Sequence, residues 1–151
     1  MEQALEAGAN GPRPITVETW ANLIDFLHSS PTPVTTDVVE YVLDACALCS
    51  LPPSVPYAAA LLLHRLRCVS LLKFWTGQQL FLVAVVVAVK FLCDDPHPPT
   101  NYWWCLGFLF EVEELNRMEA EFCRSLDWRV AISGPELESF SAFCQWFMEQ
   151  P

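Results

Sequence analysis

The feature that most constrains this chain of 151 residues is a run near its middle, Leu80 to Val89, in which every position is apolar. A segment that is apolar on all faces cannot lie on a surface, so it must be the central element around which the rest packs. The run is about half of the ~20 residues a membrane-spanning helix needs, and Lys90 closes it, so burial inside a protein is expected rather than in a bilayer. Its valines lean towards strand. Against that, Thr76 with Gln79 three residues later has the capping-box spacing, and no period of two is visible, so the segment reads as helix. Asp94-Asp95-Pro96 ends it.

Amphipathic helices surround this centre. Val17, Trp20, Ile24 and Leu27 recur at spacings of three and four behind Thr16, giving a first helix to about Ser29 that Ser30-Pro31-Thr32-Pro33 terminates. Asp37 with Glu40 opens a second, striped by Val39, Val42, Leu43 and Cys46 and stopped by Pro52 and Pro53. Ser54 caps a third, with Ala59, Leu62, Leu63 and Leu66 inward, fading after Val69. After the central helix, Thr100 or Asn101 caps a short aromatic helix through Tyr102, Trp103, Trp104, Leu106 and Phe108, which Gly107 bends or packs tightly. Glu111, Glu113 and Glu114 complement the dipole at the start of the sixth, whose stripe is Leu115, Met118, Phe122 and Leu126. Ser133, Pro135 and Glu136 start the seventh, with Leu137, Phe140, Cys144 and Phe147. The expected fold is all-α, a single domain over residues 16–151 behind a disordered tail at 1–15. A chain of this length buries roughly 70% of its unfolded surface and needs no disulfide or metal staple.

Charge and cysteine usage narrow the function. Eighteen acidic residues against eight basic ones, a net −10, is the wrong sign for nucleic acid or anionic membrane. Hydrophobic residues are 53% and charged residues 17%, which leaves apolar surface for a protein partner. The seven cysteines sit mostly in apolar runs and read as reduced. Met1 to Pro14 resembles neither a secretory signal nor a basic presequence, so an intracellular protein of cytoplasm or nucleus is expected. Cys46-x-x-Cys49 lacks a second half-site and reads as packing. A Cys–His nucleophile built on His64 or His97 has no visible orienting acid, and no glycine-rich phosphate loop is present. No enzyme activity, metal or cofactor is expected. The tryptophans at 20, 75, 103, 104, 128 and 146 read as core ahead of interface anchors.

Two charges stand where apolar residues belong. Lys90 interrupts the central helix near its C-terminus, where the dipole favours a cation. Glu119 falls four after Leu115 and three before Phe122, on the stripe that faces the core. An isolated buried charge costs several kcal/mol, so the two are expected to meet each other or a partner's backbone, the alternative being that Lys90 snorkels and Glu119 sits at the edge of the stripe.

The segment Val85-Val86-Val87-Ala88-Val89-Lys90-Phe91-Leu92-Cys93-Asp94-Asp95, then Thr100-Asn101-Tyr102-Trp103, then Glu114-Leu115-Asn116-Arg117-Met118-Glu119-Ala120-Glu121-Phe122, resembles the middle of a cyclin box. It is most similar to the P/U-type cyclins related to the yeast phosphate-starvation cyclins, over roughly Val34 to Val130, and Leu126-Asp127-Trp128-Arg129 follows in the family's order. The resemblance implies a five-helix cyclin-box core over about 34–130 with one additional helix at each end. In that family the lysine ending the buried third helix of the box and the glutamate on the fifth form a polar clasp on the kinase's regulatory helix, and Lys90 and Glu119 fall on those positions. It therefore implies a non-catalytic subunit that binds and activates a cyclin-dependent protein kinase, with Phe91, Leu92 and Asp94 as flanking contacts. A cyclin-fold scaffold or assembly partner that binds other proteins without a kinase is the rival reading. The sequence departs from the family at His64, where cyclins usually carry aspartate, and Val34 to Ser50 holds no basic residue to pair with one. Gln78-Gln79 replaces a His-Arg common in the subgroup, and Gly107 stands alone where two glycines are typical.

Overall fold

The structure, a computed structural model, describes residues 12–28, 30–67, 75–93 and 110–151. The described residues form six α-helices and no strand: α1 Val17–Leu27, α2 Thr36–Leu48, α3 Val55–Arg67, α4 Gly77–Leu92, α5 Val112–Ser125 and α6 Gly134–Glu149. The all-α expectation is met. The short aromatic helix expected through Tyr102 to Phe108 lies outside the described residues, as does most of the expected tail; Arg13 donates its N–H to the Glu149 carbonyl at 3.1 Å.

Helix starts are set by hydroxyl caps. At α4 the box is reciprocal: Gln79 N–H donates to Thr76 Oγ1 at 3.1 Å and Thr76 N–H donates to Gln79 Oε1 at 2.9 Å. The same arrangement opens α1, with Thr19 rather than a Glu or Gln closing it. At α2 the expected Asp37/Glu40 box does not form. Thr35 is the cap, accepting from Val38 N–H at 3.4 Å, which leaves Asp37 inside the first turn, where its charge complements the dipole. Ser54 serves α3 through its backbone carbonyl, which accepts from Ala58 N–H at 2.9 Å. Ser133 caps α6 through Glu136 N–H, with proline in the first turn.

The centre is α4. Phe81, Val83, Ala84, Val85, Val86, Ala88 and Val89 are wholly buried. Its broadest contact is with α3, where Ala58, Ala59 and Ala60 are also fully buried; three small side chains in a row let the two backbones approach. Helix α5 closes on α4 with Leu115, Met118 and Phe122, while α6 lies across α3 and α1. Each large side chain so buried contributes roughly 1.5–3 kcal/mol of transfer free energy.

Two polar devices fix the helices around this core. Asp25 Oδ1 accepts from Val34 N–H and from His28 Nε2, both at 2.8 Å. Ser30 N–H donates to His28 Nδ1 at 3.1 Å, so Nδ1 is the acceptor and the ring proton sits on Nε2, facing Asp25. That loop then presses on the start of α4: Gly77 N–H donates to the Thr32 carbonyl at 2.8 Å, and a Cβ on Gly77 would stand 2.7 Å from that same oxygen. Glycine is needed there for close approach. The second device is Arg65 of α3. Its guanidinium donates to the carbonyls of Arg129 and Ala131 and forms a bidentate pair with Glu136 of α6, both oxygens at 2.8 Å. The carbonyls it reaches follow a turn in which Asp127 and Trp128 both take left-handed backbone, φ 54° and 59°. Asp tolerates that region, whereas Trp rarely enters it; Trp128 N–H bonded to the Cys123 carbonyl at 2.8 Å holds it.

Candidate functional site

Helix α4 ends its buried stretch at Val89, and the next residue, Lys90, is the first to leave the core. Helix α5 turns Leu115, Met118 and Phe122 inward, which places Glu119, one position past Met118, at the border of that stripe. The two borders adjoin. Lys90 Nζ stands 2.7 Å from Glu119 Oε2, with the lysine side chain 39% exposed and the glutamate 18%. The sequence left Glu119 either on the core-facing stripe itself or at its edge. The structure places it at the edge, because a helix with an apolar arc of about 100° holds Leu115, Met118 and Phe122 and leaves the neighbouring position partly exposed.

At the rim the charged form of each group keeps part of its hydration, and the pair is neither a loose surface contact nor a sealed one. Lys90 lies in the last turn of α4, where the carbonyl ends of the helix dipole favour a cation. Among the described residues Glu119 spends Oε2 on Lys90, which leaves Oε1 able to accept from an N–H donor outside the chain. The pair's field reaches inward too. Burial pushes the Cys123 thiol up, Glu119 adds to the rise, and Lys90 opposes it.

Of the other expected site residues, Phe91 is 40% exposed beside the pair, and Leu92 is half-buried against the core. Asp94 lies outside the described residues. Val112 was not singled out from sequence, yet it is 59% exposed and stands seven residues, two turns, before Glu119 on the same face of α5. The i, i+7 spacing from Glu119 was the signal that could have found it. The rim thus offers a charged couple with exposed Phe91 next to Lys90 on one helix and exposed Val112 two turns from Glu119 on the other.

Other chemistry suggested by sequence does not assemble. The Cys46 thiol is pushed up to about 11 by burial and by its neighbour Cys49, the opposite of what a redox or metal-ligating thiol needs. His64 packs on the Phe140 ring at 5.6 Å, and His97 is outside the described residues. No group of three metal-ligating side chains occurs among the described residues. Trp20 is core, its ring packed at a tilt against Tyr57 with centroids 4.9 Å apart. Trp128 and Trp146 correct the expectation of buried tryptophans: they are 63% and 57% exposed, the first thrown out by its left-handed turn and the second on the outer face of α6. No described helix is long and apolar enough to cross a membrane.

The cyclin N-terminal domain matches this chain over residues 21–131, from within α1 to the loop that precedes α6. No curated protein and no solved structure matches it. The match covers more than half of the 151 residues and contains both Lys90 and Glu119, and the chain belongs to the cyclin family.

Proposed function

We propose that this chain is a regulatory subunit that binds a cyclin-dependent protein kinase and holds it in its active shape, as the P/U-type cyclins it resembles do. Cyclin domains are regulatory rather than catalytic, so the action is positional. Kinases need an internal Lys–Glu ion pair, and the helix bearing that glutamate must swing inward before the phosphates are oriented. A rigid helical face docked on this helix shifts the equilibrium towards the active form. Reversing a 1:99 equilibrium takes about 5.5 kcal/mol of differential binding.

The observation that carries the reading is the Lys90–Glu119 pair, 2.7 Å apart and only partly covered, on the rim of the best-buried of the described helices. In this role Lys90 donates to a backbone carbonyl and Glu119 accepts a backbone N–H at the entry to the kinase's regulatory helix. Phe91 gives apolar contact beside them, with Leu92 and Asp94 as further flanking contacts. The complex would work in the cytoplasm or nucleus.

The test is recovery of the tagged chain from native lysate, identification of a stoichiometric kinase, and phosphorylation assays with and without the chain. Lys90→Ala and Glu119→Ala should lose the kinase with the unfolding midpoint nearly unchanged. Normal capture and activation by both variants would show the assignment to be wrong.

A further inference from the structure

The seam between α1 and α6 carries aromatic side chains that the core does not use. Phe26, Phe143 and Trp146 are 49%, 37% and 57% exposed. They are held in order: Phe26 stacks on Phe147 at 4.9 Å between centroids, and Phe143 lies 6.2 Å from Trp146. With Arg13, Asn22 and Gln150 they wall a cleft of about 490 Å³.

Charge sets this cleft apart from the rest of the molecule. The chain has eighteen acidic residues against eight basic ones, yet no acidic side chain lines the cleft. Arg13 does, placed by its backbone bond to Glu149, and among the described residues its guanidinium makes no ion pair. Beyond Phe26, Arg67 holds its guanidinium 5.5 Å from that ring's centroid and donates to the Phe26 carbonyl at 2.8 Å. Exposed rings with Arg13 in the cleft wall and Arg67 over Phe26, in a chain of net charge −10, match a partner whose apolar side chains are interspersed with carboxylates. A second copy of this acidic chain is disfavoured by repulsion.

We propose that the α1–α6 seam is a docking groove for an acidic amphipathic helix of a partner protein. The groove between two helices accepts the ridge of a third, with apolar anchors at i, i+3 or i+4, and i+7 meeting Phe26, Phe143 and Trp146. The partner's carboxylates reach Arg13 and the edge of Arg67. No residue of the groove belongs to the Lys90–Glu119 rim, so both sites can be filled together.

The test is a fluorescence-anisotropy titration of the whole chain with two labelled helical peptides of about 16 residues, alike in their leucines at that spacing, one with glutamate and the other with lysine elsewhere. The glutamate peptide should bind about ten-fold more tightly or better. Trp146→Ser, Phe143→Ser and Arg13→Glu should each weaken it by about ten-fold, with helical content unchanged. Equal affinity for the two peptides, no binding by either, or full binding by Trp146→Ser overturns the proposal. So does a sharp rise in affinity on deleting residues 1–11, which would make that segment the occupant. Concentration-dependent dimerisation that Trp146→Ser abolishes would make a second copy the occupant and would equally overturn it.

Discussion

Substituting either member of the Lys90–Glu119 pair disturbs two things at once, the α4–α5 seam and any partner's grip, and the structure gives their sizes separately. The contact is 2.7 Å long, with side-chain exposures of 39% and 18%. Fully exposed pairs contribute about 0.2–1 kcal/mol, whereas breaking a sealed pair costs about 3–5. A rim pair belongs near the lower range, and the seam retains Leu115, Met118 and Phe122. Each alanine variant should therefore lose about 1 kcal/mol, or ~2–4 °C in the midpoint. A charge-assisted hydrogen bond to the kinase contributes about 1.5–3 kcal/mol, so the same variants should weaken capture by about 10- to 150-fold. The charge-swapped double variant, Lys90→Glu with Glu119→Lys, separates the two roles. It restores attraction across the seam, less about 0.3–1 kcal/mol for an acid at the C-terminus of α4. Most of the stability should return while kinase affinity stays lost, because donor and acceptor now face the wrong groups. Thermal melts and calorimetric titration with the purified kinase read both quantities. A swapped variant that binds like the parent, or single variants whose affinity falls only in step with unfolding, would refute the reasoning.

Gly77→Ala should destabilise the fold by about 1–3 kcal/mol in chemical denaturation, because the new Cβ meets the Thr32 carbonyl at 2.7 Å and Val34 N at 2.9 Å, which outweighs the ~0.5–1 kcal/mol helix gain of alanine. Arg65→Ala should cost about 1–2 kcal/mol at neutral pH, since it frees the Arg129 and Ala131 carbonyls as well as Glu136. Arg65 holds the Glu136 carboxyl below its usual range, so this contribution is present above the unfolded value of ~4.3 and is lost as pH falls through the lower folded value. The group is largely exposed and the effect stays within about 1 kcal/mol; Glu136→Gln should remove it from the acid limb of a stability–pH curve. The Cys46 and Cys144 thiols, pushed up by burial to about 11 and about 12, should alkylate at pH 7.5 about 100-fold and about 1000-fold more slowly than a free thiol, as read by mass spectrometry; fast labelling in the native state would contradict their burial.

What the sequence made legible was mostly local. The Thr76/Gln79 box and the unbroken apolar run place α4 correctly because both signals lie within one helix. The start of α2 was misplaced because Thr35 and Asp37 both offer N-cap chemistry, and only backbone geometry shows that Thr35 bonds to Val38 N–H. The charged couple could be noticed as two misfits on apolar stripes, but not placed, since a step of one residue separates the core face of α5 from its rim. The Arg65 latch was out of reach. Its partners lie 64 to 71 residues away, and sequence showed only that His64 stood where a family aspartate belongs, not that the next residue ties α3 to α6.

The charges at the rim and the apolar run behind them depend on each other. If α4 rotated by one residue, Lys90 would move towards the core at a cost of several kcal/mol, and a buried valine would turn to water at about 1.5–3 kcal/mol more. Gly77 opposes sliding at the other end, because the helix start is already in contact with the Thr32 carbonyl. The position of the Lys90 ammonium is thus set by residues that never touch it as well as by Glu119, which does. A partner that takes hold of this couple finds it already oriented, with little further loss of side-chain freedom, and the interaction energy goes into binding rather than ordering.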